Sequence, residues 1–99
     1  MDLEHLTSEH LRPLEACTIF AALPDGERLD LFLIDVAESQ AGPWHDRRRP
    51  FSVLYRGPLR RFLPQGTYEL DHPGLGTLEI FIVPVRQDLD GYYYEAVFN

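Results

Sequence analysis

The residue types best suited to chemistry are concentrated in one segment. From position 47 the chain reads Arg47-Arg48-Arg49-Pro50-Phe51-Ser52-Val53-Leu54-Tyr55-Arg56-Gly57-Pro58-Leu59-Arg60-Arg61, with six arginines and no acid. Residues 1–46 carry ten acids against two arginines, and residues 62–99 six acids against one. A segment of +6 is therefore enclosed by stretches of −8 and −5, and all nine bases of the chain are arginine. A guanidinium is planar and permanently charged, and its fork of donors matches a carboxylate or phosphate through two parallel hydrogen bonds. Such a cluster either binds an anionic group on a partner or pairs with acids of its own chain. Glu69, Glu79 and Glu95 on later strands are the acids within reach for the second role.

Aromatic residues extend the same surface. Trp44 lies just upstream, and in Tyr92-Tyr93-Tyr94 one ring must face away from the other two on a strand. Exposed tyrosine and tryptophan suit a protein interface, although cross-strand packing also uses tyrosines in this pattern. The candidate partner-binding set is Trp44, Arg47, Arg48, Arg49, Arg56, Arg60, Arg61 and Tyr93.

Other chemistries find less support. Ser8, Ser39 and Ser52 sit in no nucleophile elbow, and no glycine-rich phosphate loop is present. Cys17 opens an apolar stretch, where a thiol is ordinarily buried. His45 and Asp46 are adjacent in a loop, and His72 precedes Pro73 in a turn; neither arrangement supplies a nucleophile, a base and an oxyanion donor together. The expectation is a protein without catalytic residues. His5 with Glu9, and Asp88 and Asp90 with Glu95, lack the ligand number and loop length of a metal site, so no metal or cofactor is expected. Arginines interleaved with Phe51, Tyr55 and Phe62 resemble a single-strand-binding groove. A formal charge of −7 and an isoelectric point near 4.9 oppose that attraction, so nucleic acid is not the expected partner.

The elements that must position these residues are short and turn-bounded. Ninety-nine residues bury enough surface for one core without staples. Thr7 is a helix cap, with Leu6 and Leu11 at the spacing of a hydrophobic staple. Pro13 arrives early enough to limit this helix, over about 7–15, to one or two turns. Strands are expected at about 17–23, 27–38, 51–56, 67–71, 77–86 and 92–98. Pro24-Asp25-Gly26, Pro64-Gln65-Gly66, His72-Pro73-Gly74-Leu75-Gly76 and Asp88-Leu89-Asp90-Gly91 supply the turns, with positive φ expected at Gly66 and Gly91. The run Leu31-Phe32-Leu33-Ile34 is apolar on both parities, which requires cover on both faces or a face-switching bulge. Pro84 within a strand implies an edge or a bulge. Together these predict an all-β domain over 1–99, a small six-stranded antiparallel meander forming a barrel or tight sandwich, with a short N-terminal helix.

The opening Met1-Asp2-Leu3-Glu4-His5 has no basic region followed by an apolar run, and no apolar stretch approaches the roughly 20 residues that cross a bilayer. The expected compartment is the cytoplasm, with no membrane partner.

Several strings in the chain form a recognisable signature. They are Leu3-Glu4-His5-Leu6-Thr7, Arg56-Gly57-Pro58, Leu63-Pro64-Gln65-Gly66-Thr67-Tyr68, His72-Pro73 with Leu75-Gly76, Phe81-Ile82-Val83-Pro84 and Tyr94-Glu95-Ala96-Val97-Phe98-Asn99. With them the chain resembles a group of short bacterial proteins classed as a domain of unknown function, over most of its length except residues 39–50. The signature residues are turn and core positions, which describe a fold and name no chemistry. The resemblance implies an accessory or assembly role beside phage-tail-collar-like proteins. The function expected is a non-enzymatic module that binds another protein, with homo-oligomers compatible. The alternative is a barrel that binds a small anionic ligand, anchored by an arginine such as Arg56. A filled interior favours the first; a cavity of a few hundred Å³ favours the second.

Overall fold

The computed structural model describes residues 3–39 and 49–99. Six strands, β1 (Thr18–Ala22), β2 (Arg28–Glu38), β3 (Phe51–Gly57), β4 (Gly66–His72), β5 (Gly76–Asp88) and β6 (Gly91–Phe98), close into an antiparallel barrel. Alternation drives the closure. Leu29, Leu31 and Leu33 of β2, Val53 and Tyr55 of β3, and Leu78, Ile80 and Ile82 of β5 are buried, while Thr67, Glu69 and Asp71 of β4 face water. Each strand thus has one apolar face, and curling the sheet hides all of these faces together. Pairing of β4 with β1 at Phe20↔Asp71, Ala21↔Leu70 and Ala22↔Glu69 completes the ring and leaves no edge strand to recruit other chains.

The order around the ring is β1-β2-β3-β6-β5-β4, which corrects the sequential meander. Consecutive strands pair within two three-stranded units, β1-β2-β3 and β4-β5-β6. The exception is the β3–β4 link, residues 58–65. It crosses the barrel mouth, and β3 pairs with β6 instead. Phe51 and Phe98 stack at 4.8 Å at the far end of that pair. Leu63 of the link is buried in the mouth, where its amide donates to the Tyr94 hydroxyl at 3.0 Å.

The apolar run on both parities of β2 is resolved by a bulge. Register runs Phe32↔Arg56, Leu33↔Tyr55 and then Asp35↔Leu54, so Ile34 is the extra residue. Parity changes across it, with Leu33 and Val36 both inside, and Phe32 is turned outward at 40% exposure. A second register shift lies between Pro84 and Arg86 of β5. Pro84 thus sits at a bulge, which a closed barrel requires because it has no edge strand to offer.

The opposite mouth is covered by α1 (Ser8–Leu11) and a 3₁₀ turn (Arg12–Leu14) that accommodates Pro13 in its first turn. Leu6 and Leu11 are both fully buried, as the staple spacing predicts. His10, rather than an acid, reaches back to the start of α1, where its Nδ1 accepts the Thr7 amide at 3.0 Å. Arg12 donates to the Val36 carbonyl at 3.3 Å and pairs with Glu38 at 3.2 Å, tying this segment to the end of β2. Among the described residues no helix is long and apolar enough to cross a membrane.

One polar pair lies within the core. His72 Nδ1–H donates to the Leu70 carbonyl at 3.2 Å, which leaves Nε2 to accept the Tyr55 hydroxyl at 2.9 Å. Burial pushes the imidazole pKa below its ordinary value of 6.5, against smaller opposing effects of the Leu70 carbonyl and the Asp71 carboxylate. As pH falls through 6.5 the unfolded chain therefore takes up a proton that the folded chain refuses, and stability present above that pH is lost. The unfolding free energy should decline from pH 7 to pH 5, and His72→Gln should flatten this part of the profile. An unchanged slope in the variant would show that His72 is not its source.

Candidate functional site

The crossing link decides the fate of two candidate arginines. It carries Arg60 and Arg61 over the β1–β2 turn, where Arg60 meets Glu27 at 2.7 Å and Arg61 meets Glu27 at 2.6 Å and Asp25 at 3.1 Å. Their acids come from this turn rather than from Glu69, Glu79 or Glu95. The Asp25 carboxyl is held below the usual range first by the Glu27 amide and then by Arg61, and Glu27 chiefly by its bond to Arg60. Both pairs are near the surface and act as clips on the link, with little stabilisation expected from each.

Arg56 is placed differently. It points outward from β3, with its guanidinium 5.4 Å from the centroid of the Phe32 ring. The barrel register continues the row: Phe32↔Arg56 across β2 and β3, Arg56↔Tyr93 across β3 and β6, and Tyr93↔Arg86 across β6 and β5. Arg86 lies 4.2 Å above the Tyr93 ring. The result is an outer band of alternating aromatic and guanidinium groups over four neighbouring strands. Stacking of this kind fixes each guanidinium plane while leaving its N–H edges available. One strand nearer the link, Arg28 stacks on Phe20 at 3.8 Å.

Tyr93 belongs to this band as a support. Its hydroxyl donates to Asp88 Oδ2 at 2.9 Å and Arg86 roofs its ring, so only 5% of the residue is exposed. The open tyrosine face expected from the sequence is therefore covered. Asp88 is held below the ordinary carboxylate range first by the Asp90 amide, with the Tyr93 hydroxyl adding to the effect. Arg49 is exposed ahead of β3. Trp44, Arg47 and Arg48 lie outside the described residues.

Beside the band is a cleft of about 470 Å³ lined by Arg28, Asp30, Phe32, Arg56, Arg60 and Asp90, with Gly57 and Pro58 at its end. Arg60 is occupied by Glu27, whereas Arg28 and Arg56 form no ion pair among the described residues. The cleft is on the outside of the barrel. The interior is filled by side chains that include Leu31, Leu33, Tyr55, Ile80, Ile82 and Tyr94, all at 1% exposure or less. Among the described residues no group of three or more metal-ligating side chains is present.

Sequence reasoning missed Phe32, Arg28 and Arg86. Phe32 reads as core in an apolar run, and it faces outward because its neighbours Leu31 and Leu33 are the inward residues of β2 ahead of the bulge at Ile34. Arg28 and Arg86 are isolated in sequence, and they join Phe20 and Tyr93 solely through strand register.

No curated protein and no solved structure matches the chain. A family model described as a domain of unknown function (DUF6916) matches residues 6–98, from the buried Leu6 at one mouth to the end of β6. The match spans the whole barrel with both of its covered mouths, and the chain belongs to the DUF6916 family.

Proposed function

We propose that the barrel is a non-enzymatic protein-binding module, in an accessory or assembly role, that docks the carboxylate-bearing surface of a partner against its outer arginine–aromatic band. The observation that carries this reading is the row Phe32–Arg56–Tyr93–Arg86, in which stacked guanidiniums stand beside a phenylalanine 40% exposed. Maintaining an exposed phenylalanine beside Arg56 has no role in the core, which the inward side chains fill by themselves. An aromatic and arginine centre is the composition that most often carries binding energy at interfaces. Exposed Leu59 and Leu89, at 44% and 96%, flank the same mouth and enlarge the apolar contact.

The filled interior favours this reading over a ligand held inside the barrel. A second reading, a small anionic ligand, draws its support from the outer cleft, which Arg28 and Arg56 line together with Phe32. Asp30 and Asp90 share that cleft and work against a simple anion.

The test is selection from a displayed random peptide library on the intact chain. Peptides combining Asp or Glu with an apolar residue should be enriched, and their affinity should fall at least tenfold for Arg28→Ser/Arg56→Ser at unchanged melting temperature. Absence of enrichment, or binding indifferent to the double variant, overturns the proposal. Citrate and inorganic phosphate serve as the small-anion probes. Saturable binding of either without peptide enrichment selects the second reading.

A further inference from the structure

We propose that the partner presents an extended peptide segment, which adds as a strand to a short open edge of β2 at Arg28 and Asp30. This deepens the reading of the arginine–aromatic band as a docking face, and it rests on that reading for the partner being a protein.

The edge follows from where β3 stops. Main-chain groups of successive residues point to opposite sides of a strand. Glu27 accepts the Leu23 amide at 2.9 Å and Leu33 donates to the Cys17 carbonyl at 3.1 Å, so the odd-numbered residues of this stretch bond toward β1. The even-numbered residues Arg28, Asp30 and Phe32 therefore point toward β3. Phe32 meets Arg56 there, and this is the last pair of the β2–β3 ladder. The same register continued would set Pro58 opposite Asp30 and Arg60 opposite Arg28. Proline has no N–H to donate, and the Pro58 carbonyl already accepts the Arg61 amide at 3.3 Å. Among the described residues, the N–H and C=O groups of Arg28 and Asp30 thus have no backbone partner on the β3 side. Both residues are exposed, and with Phe32, Arg56, Pro58 and Asp90 they line the cleft of about 470 Å³. The ring is closed, yet one stretch of β2 within it offers a bare backbone to that cleft.

A donor and an acceptor at every second residue are the complement of another extended backbone. Side chains then set what that backbone carries. Residues directly opposite in an antiparallel pair share a face and lie within contact distance. The guest residue opposite Arg28 therefore meets a guanidinium, and the one opposite Asp30 meets a carboxylate, neither of which forms an ion pair among the described residues. An acid at the first position and a base at the second satisfy both. Antiparallel is the direction of every strand pair in this barrel, and it is the slightly more stable pairing. An antiparallel guest passes Asp30 before Arg28, so its sequence carries Lys or Arg two residues ahead of Asp or Glu. The mixed charge of the cleft, which works against a simple anion, selects this order in a peptide. The same two charges guard the bare edge against strands that lack their complements.

Amide hydrogen exchange followed by NMR on the full chain tests the edge itself. The Arg28 and Asp30 amides should exchange about tenfold or more faster than those of Leu29 and Leu31, which bond toward β1. Slow exchange at Asp30 in the dilute free chain overturns the proposal. Protection that grows with protein concentration alone assigns the edge to a second copy and overturns it as well. Two displayed peptide libraries with random flanks, one fixed as Lys-x-Glu and the other as Glu-x-Lys, test the occupant. The first should be enriched over the second, and Arg28→Glu/Asp30→Arg at unchanged melting temperature should reverse that preference. In the best peptide, N-methylation of the Lys or Glu amide should weaken binding about tenfold, whereas methylation of the residue between them should have little effect. Enrichment of neither library, equal enrichment of both, or indifference to N-methylation at every position refutes strand addition. Acidic peptides that lose binding in Arg28→Ser/Arg56→Ser yet tolerate N-methylation would retain the docking face and reject only this mode. If the charge-exchanged variant fails to fold, the exchange rates and the N-methyl scan on wild type decide.

Discussion

Gly91→Ala should destabilise the barrel by roughly 2–4 kcal/mol, the range of an overpacked close contact that the backbone must relieve. Gly91 begins β6 directly after the Leu89–Asp90 turn, with Asp88 Oδ1 accepting the amides of Asp90 and Gly91 at 2.8 and 3.2 Å. The difficulty is steric and torsional together, since Gly91 has the positive φ expected of it, +158°, which L side chains rarely adopt. A Cβ at this position would run into the carbonyl oxygen of Gly57 and stand 3.0 Å from Arg56 Cγ. The obstacle is backbone, which cannot swing aside as a side chain tip would. Arg56 is displaced with it, so the outer band should be disturbed together with the fold.

Gly66→Ala is the contrasting case. Its backbone does not occupy the positive-φ region expected of it, and an added Cβ would meet nothing nearer than Tyr68 Cε2 at 3.8 Å. That substitution should be neutral or stabilising by up to about 1 kcal/mol, because alanine restricts the unfolded chain. Urea titration of both variants checks the pair. A Gly91→Ala midpoint equal to that of wild type would show that β3 and β6 do not approach as closely as the register requires.

The second large effect concerns the pair inside the core. Tyr55→Phe should cost about 1–3 kcal/mol, because it leaves His72 Nε2 buried with no donor. Tyr55 and His72 are 0% and 1% exposed, so water cannot replace the lost bond without opening the barrel. Burial also drives the Tyr55 hydroxyl pKa upward, which keeps it a donor throughout the accessible pH range. His72→Leu should be comparably costly, since it strands the Tyr55 hydroxyl. The double variant should lose less than the two single losses combined, as removing both polar partners removes the unsatisfied group as well. Strict additivity in a double-mutant cycle would mean that the two side chains do not depend on each other.

Much of this architecture was legible because it is local. Alternation in Thr67–Asp71 and Thr77–Val83, the Asp90-Gly91 turn and the Leu6/Leu11 staple all express themselves within a few residues, where backbone sterics and side-chain direction suffice. Even the bulges were signalled, by an apolar run on both parities around Ile34 and by Pro84. The His72 turn illustrates where locality fails. Its bond to the Leu70 carbonyl is local, as a histidine in a turn favours, whereas only the pairing of β4 with β1 and β5 draws it inside to meet Tyr55 from a strand it does not neighbour.

For the candidate site, the sequence by itself determined the inventory: a +6 segment of arginine between two acidic stretches, and aromatic residues to set against it. What those groups do was decided by the β3–β4 link. By crossing the mouth instead of turning back, it delivered Arg60 and Arg61 to Asp25 and Glu27. The same crossing left β3 free to pair with β6, which set Arg56 between Phe32 and Tyr93. Charge content is a property of composition, and turns are a property of a few neighbouring residues. Which arginine finds an acid and which stays open depends on strand order and register, and those arise only when all six apolar faces are buried against one another.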